Sequence, residues 1–229
     1  MSSAPVSPRR RPLLIELLGP PGAGKSTIFD GLIARDERIR PRPVLGHGPY
    51  AVVLAWNLVT VLVMLARRRA LRLPWNRERL LMMAYLQALP RALRGRQGIV
   101  VFDQGPIYLL TRPILLDERL ASWWQRTFDA WSSLLDAVVW LEAPDAVLLE
   151  RINARSKVHR LKGRQDQAAL EVLAEGRRAH QDAIRRLDGR ASTPAILRFD
   201  TSRRSAEQIV DDVLEQLAPA HRTSPRVAR

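Results

Sequence analysis

The sequence predicts an α/β fold, a three-layer α/β/α arrangement around a five-stranded parallel sheet. Two observations predict it. Short apolar runs of strand character alternate with helical stretches about five times along the chain. The first of these runs leads directly into a glycine-rich turn and then a helix. Such alternation implies right-handed crossovers, helices on both faces of the sheet, and ligands at the C-terminal ends of the strands.

Leu13-Leu14-Ile15-Glu16-Leu17-Leu18 reads as the first buried strand, and 27–34 reads as the first helix. Between them lies Gly19-Pro20-Pro21-Gly22-Ala23-Gly24-Lys25-Ser26-Thr27, which fits G-x-x-x-x-G-K-[ST], the phosphate-binding loop or Walker A motif, in its strand–loop–helix setting. Glycines at 22 and 24 let several backbone N–H groups turn toward one anion, and the following helix aims its positive end at the same point. Lys25 is expected to reach the β- and γ-phosphates, and the Ser26 hydroxyl to ligate Mg²⁺. The motif specifies a nucleoside triphosphate without specifying its fate.

At 229 residues the chain suits one α/β domain or a domain with a small insertion. It has no cysteine, which excludes disulfides, thiolate zinc sites and thiol catalysis, and four scattered histidines argue against a structural metal site. The formal net charge of +14 points to anionic partners: nucleotides, nucleic acid or an anionic membrane surface. No stripe of aromatic and basic residues supports nucleic acid. Almost all the positive charge is arginine; the three lysines are Lys25, Lys157 and Lys162, one in the phosphate loop and two in a basic stretch.

Residues 1–11 read as a disordered basic lead-in without an apolar leader, 12–217 as the folded domain, and 218–229 as a basic tail. Residues 40–43 read as a loop and 44–49 as a short extended segment. Residues 51–66 are almost continuously apolar, broken only by Asn57 and Thr60, and are followed by Arg67-Arg68-Arg69. At roughly 24 Å of helix this segment falls short of the ~30 Å hydrocarbon thickness. A buried helix is the favoured reading, with attachment to an anionic membrane surface through 51–69 as the second. The expected location is cytoplasmic, with peripheral contact at the inner membrane face left open, as is a homodimer.

A second helix is expected over 76–94. Ile99-Val100-Val101-Phe102 then delivers Asp103-Gln104-Gly105 at a strand's end, so Asp103 is placed to hold Mg²⁺ or to accept a proton from a substrate hydroxyl. Helices are expected over 107–116 and 118–135, the second with Trp123, Trp124, Phe128 and Trp131 as core residues. After a strand at 137–141, a helix begins near Pro144 and carries Arg151 and Arg155, four apart on one face. Residues 156–164 are strongly basic, and the two arginines with this stretch suit a polyphosphate clamp. A long amphipathic helix at 165–187, a strand at 195–199 and a helix at 205–217 complete the chain.

Three motifs together resemble the P-loop small-molecule kinases, the group of thymidylate, adenylate and deoxynucleoside kinases. They are the loop 19–27, the strand ending in Asp103-Gln104-Gly105, and Arg151-Ile152-Asn153-Ala154-Arg155 with its basic continuation to Arg164. The resemblance implies a nucleotide-kinase-like domain using ATP and Mg²⁺, with a basic lid at about 155–165 and a helical acceptor-site insertion at about 44–95. It implies that Arg151 stacks on or edges the adenine. It also implies that Arg155, with Arg160 or Arg164, stabilises charge on the transferred phosphoryl group. Thymidylate-kinase-like enzymes carry an arginine where this chain has Gln104, and their acceptor segment is less apolar than 51–66. The expected acceptor is therefore a nucleoside, a nucleotide, or another hydroxylated or partly apolar metabolite. The alternative is a nucleotide-dependent switch or membrane-associated ATPase without a small-molecule acceptor.

Overall fold

A computed structural model describes residues 11–41, 49–67, 77–156, 161–164, 166–188 and 194–221. The expected extended segment at 44–49 falls almost wholly outside these residues, as do Lys157, Arg160, most of the lead-in and most of the tail.

The described chain builds a five-stranded, all-parallel sheet in the order β2-β3-β1-β4-β5. The strands are β1 (Leu13–Leu18), β2 (Ile39–Pro41), β3 (Ile99–Phe102), β4 (Ala137–Glu142) and β5 (Ala195–Asp200). The helices are α1 (Lys25–Arg35), α2 (Pro49–Arg67), α3 (Arg77–Ala92), α4 (Pro106–Leu110), α5 (Ala121–Leu134), α6 (Asp145–Ala154), α7 (Gln167–Asp188) and α8 (Ala206–His221). The inner strands are near-continuous apolar runs because both faces of a parallel sheet are covered. Ile15, Leu17, Val101 and Val139 face α1, α6 and α8, whereas Leu14, Leu18, Phe102 and Trp140 face α2 to α5. Helix α7 serves both layers: Ala169 and Leu173 join the first core, and Ala183, Ile184 and Leu187 the second.

The strand order positions a site. The connection leaving β1 crosses β3 to reach β2, and the connection leaving β3 crosses β1 in the opposite sense to reach β4. A crevice opens where neighbouring connections diverge, at the C-terminal ends of β1 and β3. The segments that start there are the glycine-rich loop and the Asp103 turn.

Three sequence expectations need correction. The second strand is Ile39–Pro41, where a loop was expected to begin at residue 40. It is an edge strand of three residues, a place where the missing N–H of Pro41 costs the ladder little. The helix expected at 107–116 stops at Leu110. Pro113 holds Arg112 in an extended conformation (φ −69°, ψ 129°), and the chain proceeds through short 3₁₀ turns at Pro113–Leu115 and Glu118–Leu120 before α5 begins. Helix α2 is not simply buried. Asn57, Val61 and Leu65 face inward, while Val52, Trp56, Val59 and Val63 face outward.

The aromatic residues of α5 behave as expected of core. Trp123, Phe128 and Trp131 are buried, Trp131 Nε1 donates to the Leu86 carbonyl oxygen at 3.2 Å, and its ring meets Phe102 edge-on at 6.3 Å. Trp131→Ala removes this contact between α3, α5 and β3 and is expected to destabilise the fold by about 3–5 kcal/mol. Urea denaturation measures it, and a loss below about 1 kcal/mol would show that the site collapses around the void.

Candidate functional site

The loop between β1 and α1 is shaped by close backbone approach. Gly22 has φ 88°, and a Cβ there would meet the Leu148 carbonyl oxygen of α6 at 2.7 Å. Any side chain at this position would force the loop off α6. The Lys25 ammonium turns back into the loop and donates to the carbonyl oxygens of Gly19 at 2.6 Å and Pro20 at 2.9 Å. Burial lowers the Lys25 pKa to about 8; Asp103 opposes that shift and the positive charge of Arg155 adds to it. The loop thus surrounds a desolvated cation whose only hydrogen-bond partners among the described residues are neutral carbonyls. An anionic ligand would stabilise that cation further.

Across the crevice, Ser26 Oγ donates to Asp103 Oδ2 at 3.0 Å. Asp103 Oδ1 is buried and has no hydrogen-bond partner among the described residues. A hydroxyl beside a carboxylate with a free buried oxygen is a hard-oxygen donor set, and it fits Mg²⁺. That ion takes one or two protein oxygens and fills its octahedron with water and phosphate. No cluster of three or more His, Asp or Glu residues suited to a metal occurs among the described residues, so no all-protein cage competes with this reading.

The turn carrying Asp103 is fastened to β1 by a residue that sequence reading passed over. Glu16 lies in the central strand and is fully buried. Its Oε2 accepts from the Ile107 N–H at 2.9 Å and its Oε1 from the Tyr108 N–H at 2.7 Å, at the start of α4. Gly105 packs so closely that a Cβ would lie 2.6 Å from Glu16 Cδ. Gln104, between Asp103 and Gly105, is the one non-glycine residue with positive φ (93°) among those described. The carboxylate therefore holds the turn in a conformation that side chains rarely adopt. Burial raises the Glu16 pKa to about 7, partly offset by the backbone N–H groups of Tyr108, Ile107 and Gly105.

His180 of α7 was also missed. It stacks on Tyr108 (centroids 5.6 Å apart) and meets Trp140 edge-on at 6.0 Å. Burial, with the charge of Lys25, pushes its pKa down to about 4, so the ring is neutral at pH 7, and its buried Nδ1 has no partner among the described residues. One histidine in a long amphipathic helix carries no sequence signal that would have marked it.

A cavity of about 650 Å³ opens beside the loop, lined by Gly24, Thr27, Arg151, Arg155, Thr201 and Arg203 among others. Its far wall is the turn after β5, a segment without a recognisable motif. Arg151 donates to Thr201 Oγ1 and to the Thr201 carbonyl oxygen, both at 2.8 Å, which ties α6 to that turn. Helix α6 ends at Ala154, one residue short of Arg155, whose ψ of 147° turns the chain into the basic segment while its φ of −72° keeps its side chain one turn on from Arg151. Both arginines line the same cavity. Asn153 Oδ1 accepts from the Gly163 N–H at 2.7 Å, and Lys162 Nζ donates to the Arg155 carbonyl oxygen, so the described part of this segment folds back on the helix end. Arg164 pairs with Asp166 at 2.8 Å. Arg160 lies outside the described residues.

No family model matches the sequence, and comparison with curated proteins returns no significant match.

The raised pKa of Glu16 makes stability depend on pH with a definite sign. Between about pH 4.5 and 7 the native state holds a proton that the unfolded chain has released, so stability falls as pH rises through this window. Glu16→Gln removes that slope. Urea denaturation across the window should show the wild type losing on the order of 2 kcal/mol relative to the variant, and a constant difference would refute the assignment.

Proposed function

We propose that this chain is an ATP- and Mg²⁺-dependent phosphotransferase that moves the γ-phosphoryl group to a hydroxyl of a small-molecule acceptor, as the P-loop small-molecule kinases that its motifs resemble do. One observation carries the reading. The phosphate-type loop after β1 meets Asp103 after β3, through Ser26, where the connections of the two strands part. Two arginines line the adjoining cavity.

The roles follow from phosphoryl-transfer chemistry, in which positioning and charge stabilisation dominate. The loop amides from Gly19 to Thr27, including those of Gly22, Ala23 and Gly24, cradle the phosphates. Lys25 exchanges its two carbonyl partners for phosphate oxygens. Ser26 and Asp103 would hold Mg²⁺, which when bound neutralises charge on the β- and γ-phosphates. The cavity between Arg151 and the turn at 201–206 takes the nucleoside, with Arg151 held against Thr201. Arg155 has no side-chain partner among the described residues and lines the cavity, free to meet charge on the transferred group. The acceptor oxygen bonds to the γ-phosphorus as the bond to the β–γ bridging oxygen breaks. ADP departs, and the hydroxyl proton passes to the Asp103 carboxylate.

The reading is tested by incubating the purified protein with Mg²⁺ and γ-labelled ATP against nucleosides, nucleoside monophosphates, sugars and lipid alcohols. Label passing to one acceptor well above hydrolysis supports it, whereas label passing only to water favours a switch or ATPase. Lys25→Ala is expected to lower turnover by about 10³-fold or more; an unchanged kcat removes Lys25 from the site. Asp103→Asn keeps ATP affinity within about threefold and lowers transfer about 10²-fold or more, measured by nucleotide titration and single-turnover transfer.

A further inference from the structure

Helix α2 is apolar on two opposite sides, and the fold uses only one. Asn57, Val61 and Leu65 are buried against the core, with Val53, Leu54, Leu58 and Leu62 packed beside them. Asn57 is satisfied within the protein: it donates to the Val53 carbonyl oxygen at 2.7 Å and accepts from Arg91 at 2.7 Å. On the opposite side Val52 (72% exposed), Trp56 (66%), Val59 (54%) and Val63 (46%) form a second stripe within an arc of roughly 60°. Four of the six large apolar side chains exposed among the described residues lie on this stripe.

We infer that the outer face of α2 docks the protein on an anionic lipid surface. The inference is independent of the phosphotransferase reading. The stripe from Val52 to Val63 runs roughly 17 Å along the helix, which suits a helix lying in the interface. No helix among the described residues is long and apolar enough to cross a membrane. Charge selects the occupant. From 49 to 66 the helix carries no charged residue of either sign, and the sequence then reads Arg67-Arg68-Arg69. A seam between two copies would use charged flanks along its length to fix partner and register, whereas here the exposed neighbours are Ala55, Thr60 and Ala66, and the exposed charge, Arg67, lies at the helix end. An apolar stripe ending in cations, on a chain of net charge +14, matches a surface of acyl chains beneath anionic headgroups. Trp56 lies midway along the stripe, and its indole suits the headgroup boundary.

The test is flotation of the full-length protein with phosphatidylcholine vesicles, with and without phosphatidylglycerol, at low and high salt. Binding is expected only with the anionic lipid and weaker at high salt. Trp56→Asp and Val59→Asp should each lower the bound fraction about tenfold, while melting temperature and ATP affinity stay at wild-type values. Brominated acyl chains should quench tryptophan emission in the wild type and do so markedly less in Trp56→Phe. The inference is overturned by absence of flotation at low salt, or by Trp56→Asp floating like the wild type. It is also overturned if Trp56→Asp turns a stable dimer into a monomer without any lipid binding, in which case the face pairs two copies.

Discussion

The carboxylate of Glu16 is the point on which the site's geometry rests. An ionisable residue in the central strand of a parallel sheet is costly unless its oxygens are satisfied. Here both are, by the first N–H groups of α4. The same bonds draw the start of α4 under the end of β1 and compress the intervening turn. Asp103 thereby comes within hydrogen-bond distance of Ser26, a residue from the other side of the crevice. An apolar residue at position 16 would fill the space, but would leave the α4 N–H groups unpaired and the turn without its anchor.

Around this anchor the polar groups fall into two kinds. Some are closed on themselves: Lys25 on the loop carbonyls, Arg151 on Thr201, Arg164 on Asp166. Others, such as Asp103 Oδ1 and His180 Nδ1, are buried with no partner among the described residues. The loop is thus preorganised by its own lysine and needs little rearrangement to exchange carbonyl partners for an anion. The open valences mark the places where the interior offers an incoming ligand a hydrogen bond that it does not make for itself.

The glycine-rich loop was legible because its chemistry is local: residue type, spacing and flanking elements lie within one short segment. Strands β1, β3, β4 and β5 were legible as apolar runs between turn residues. The edge strand β2 was not, since three residues ending in proline carry no periodic signal. The end of α6 was misjudged because Arg155 continues a good helical pattern, and only contacts from Asn153 and Lys162 with the basic segment show where the chain turns away. Glu16 was read as one polar letter in an apolar run, and nothing nearby in sequence reveals that its partners lie at 107 and 108. Periodicity likewise cannot say which side of a doubly apolar helix is covered, so the outward stripe of α2 emerged only once α3 and the core were in place.

The pairing of β1 has a consequence for how the protein is made. Its first partner is β3, where Leu13 pairs with Ile99, and its second is β4, where Ile15 pairs with Ala137. During synthesis the phosphate-type loop leaves the ribosome attached to a strand with both edges bare. Both edges stay bare until β3 has followed, 84 residues after Leu18, and the edge that β4 covers stays bare longer; at roughly 5–20 residues per second the first wait alone takes several seconds. Glu16 waits as long, because Ile107 and Tyr108 come after β3. The most recognisable segment of the chain is translated well before the strands that give it its native surroundings. A nascent chain of this design depends on keeping an apolar strand unpaired without joining another, and the proline pair that follows β1 discourages the exposed strand from extending into a longer adhesive edge.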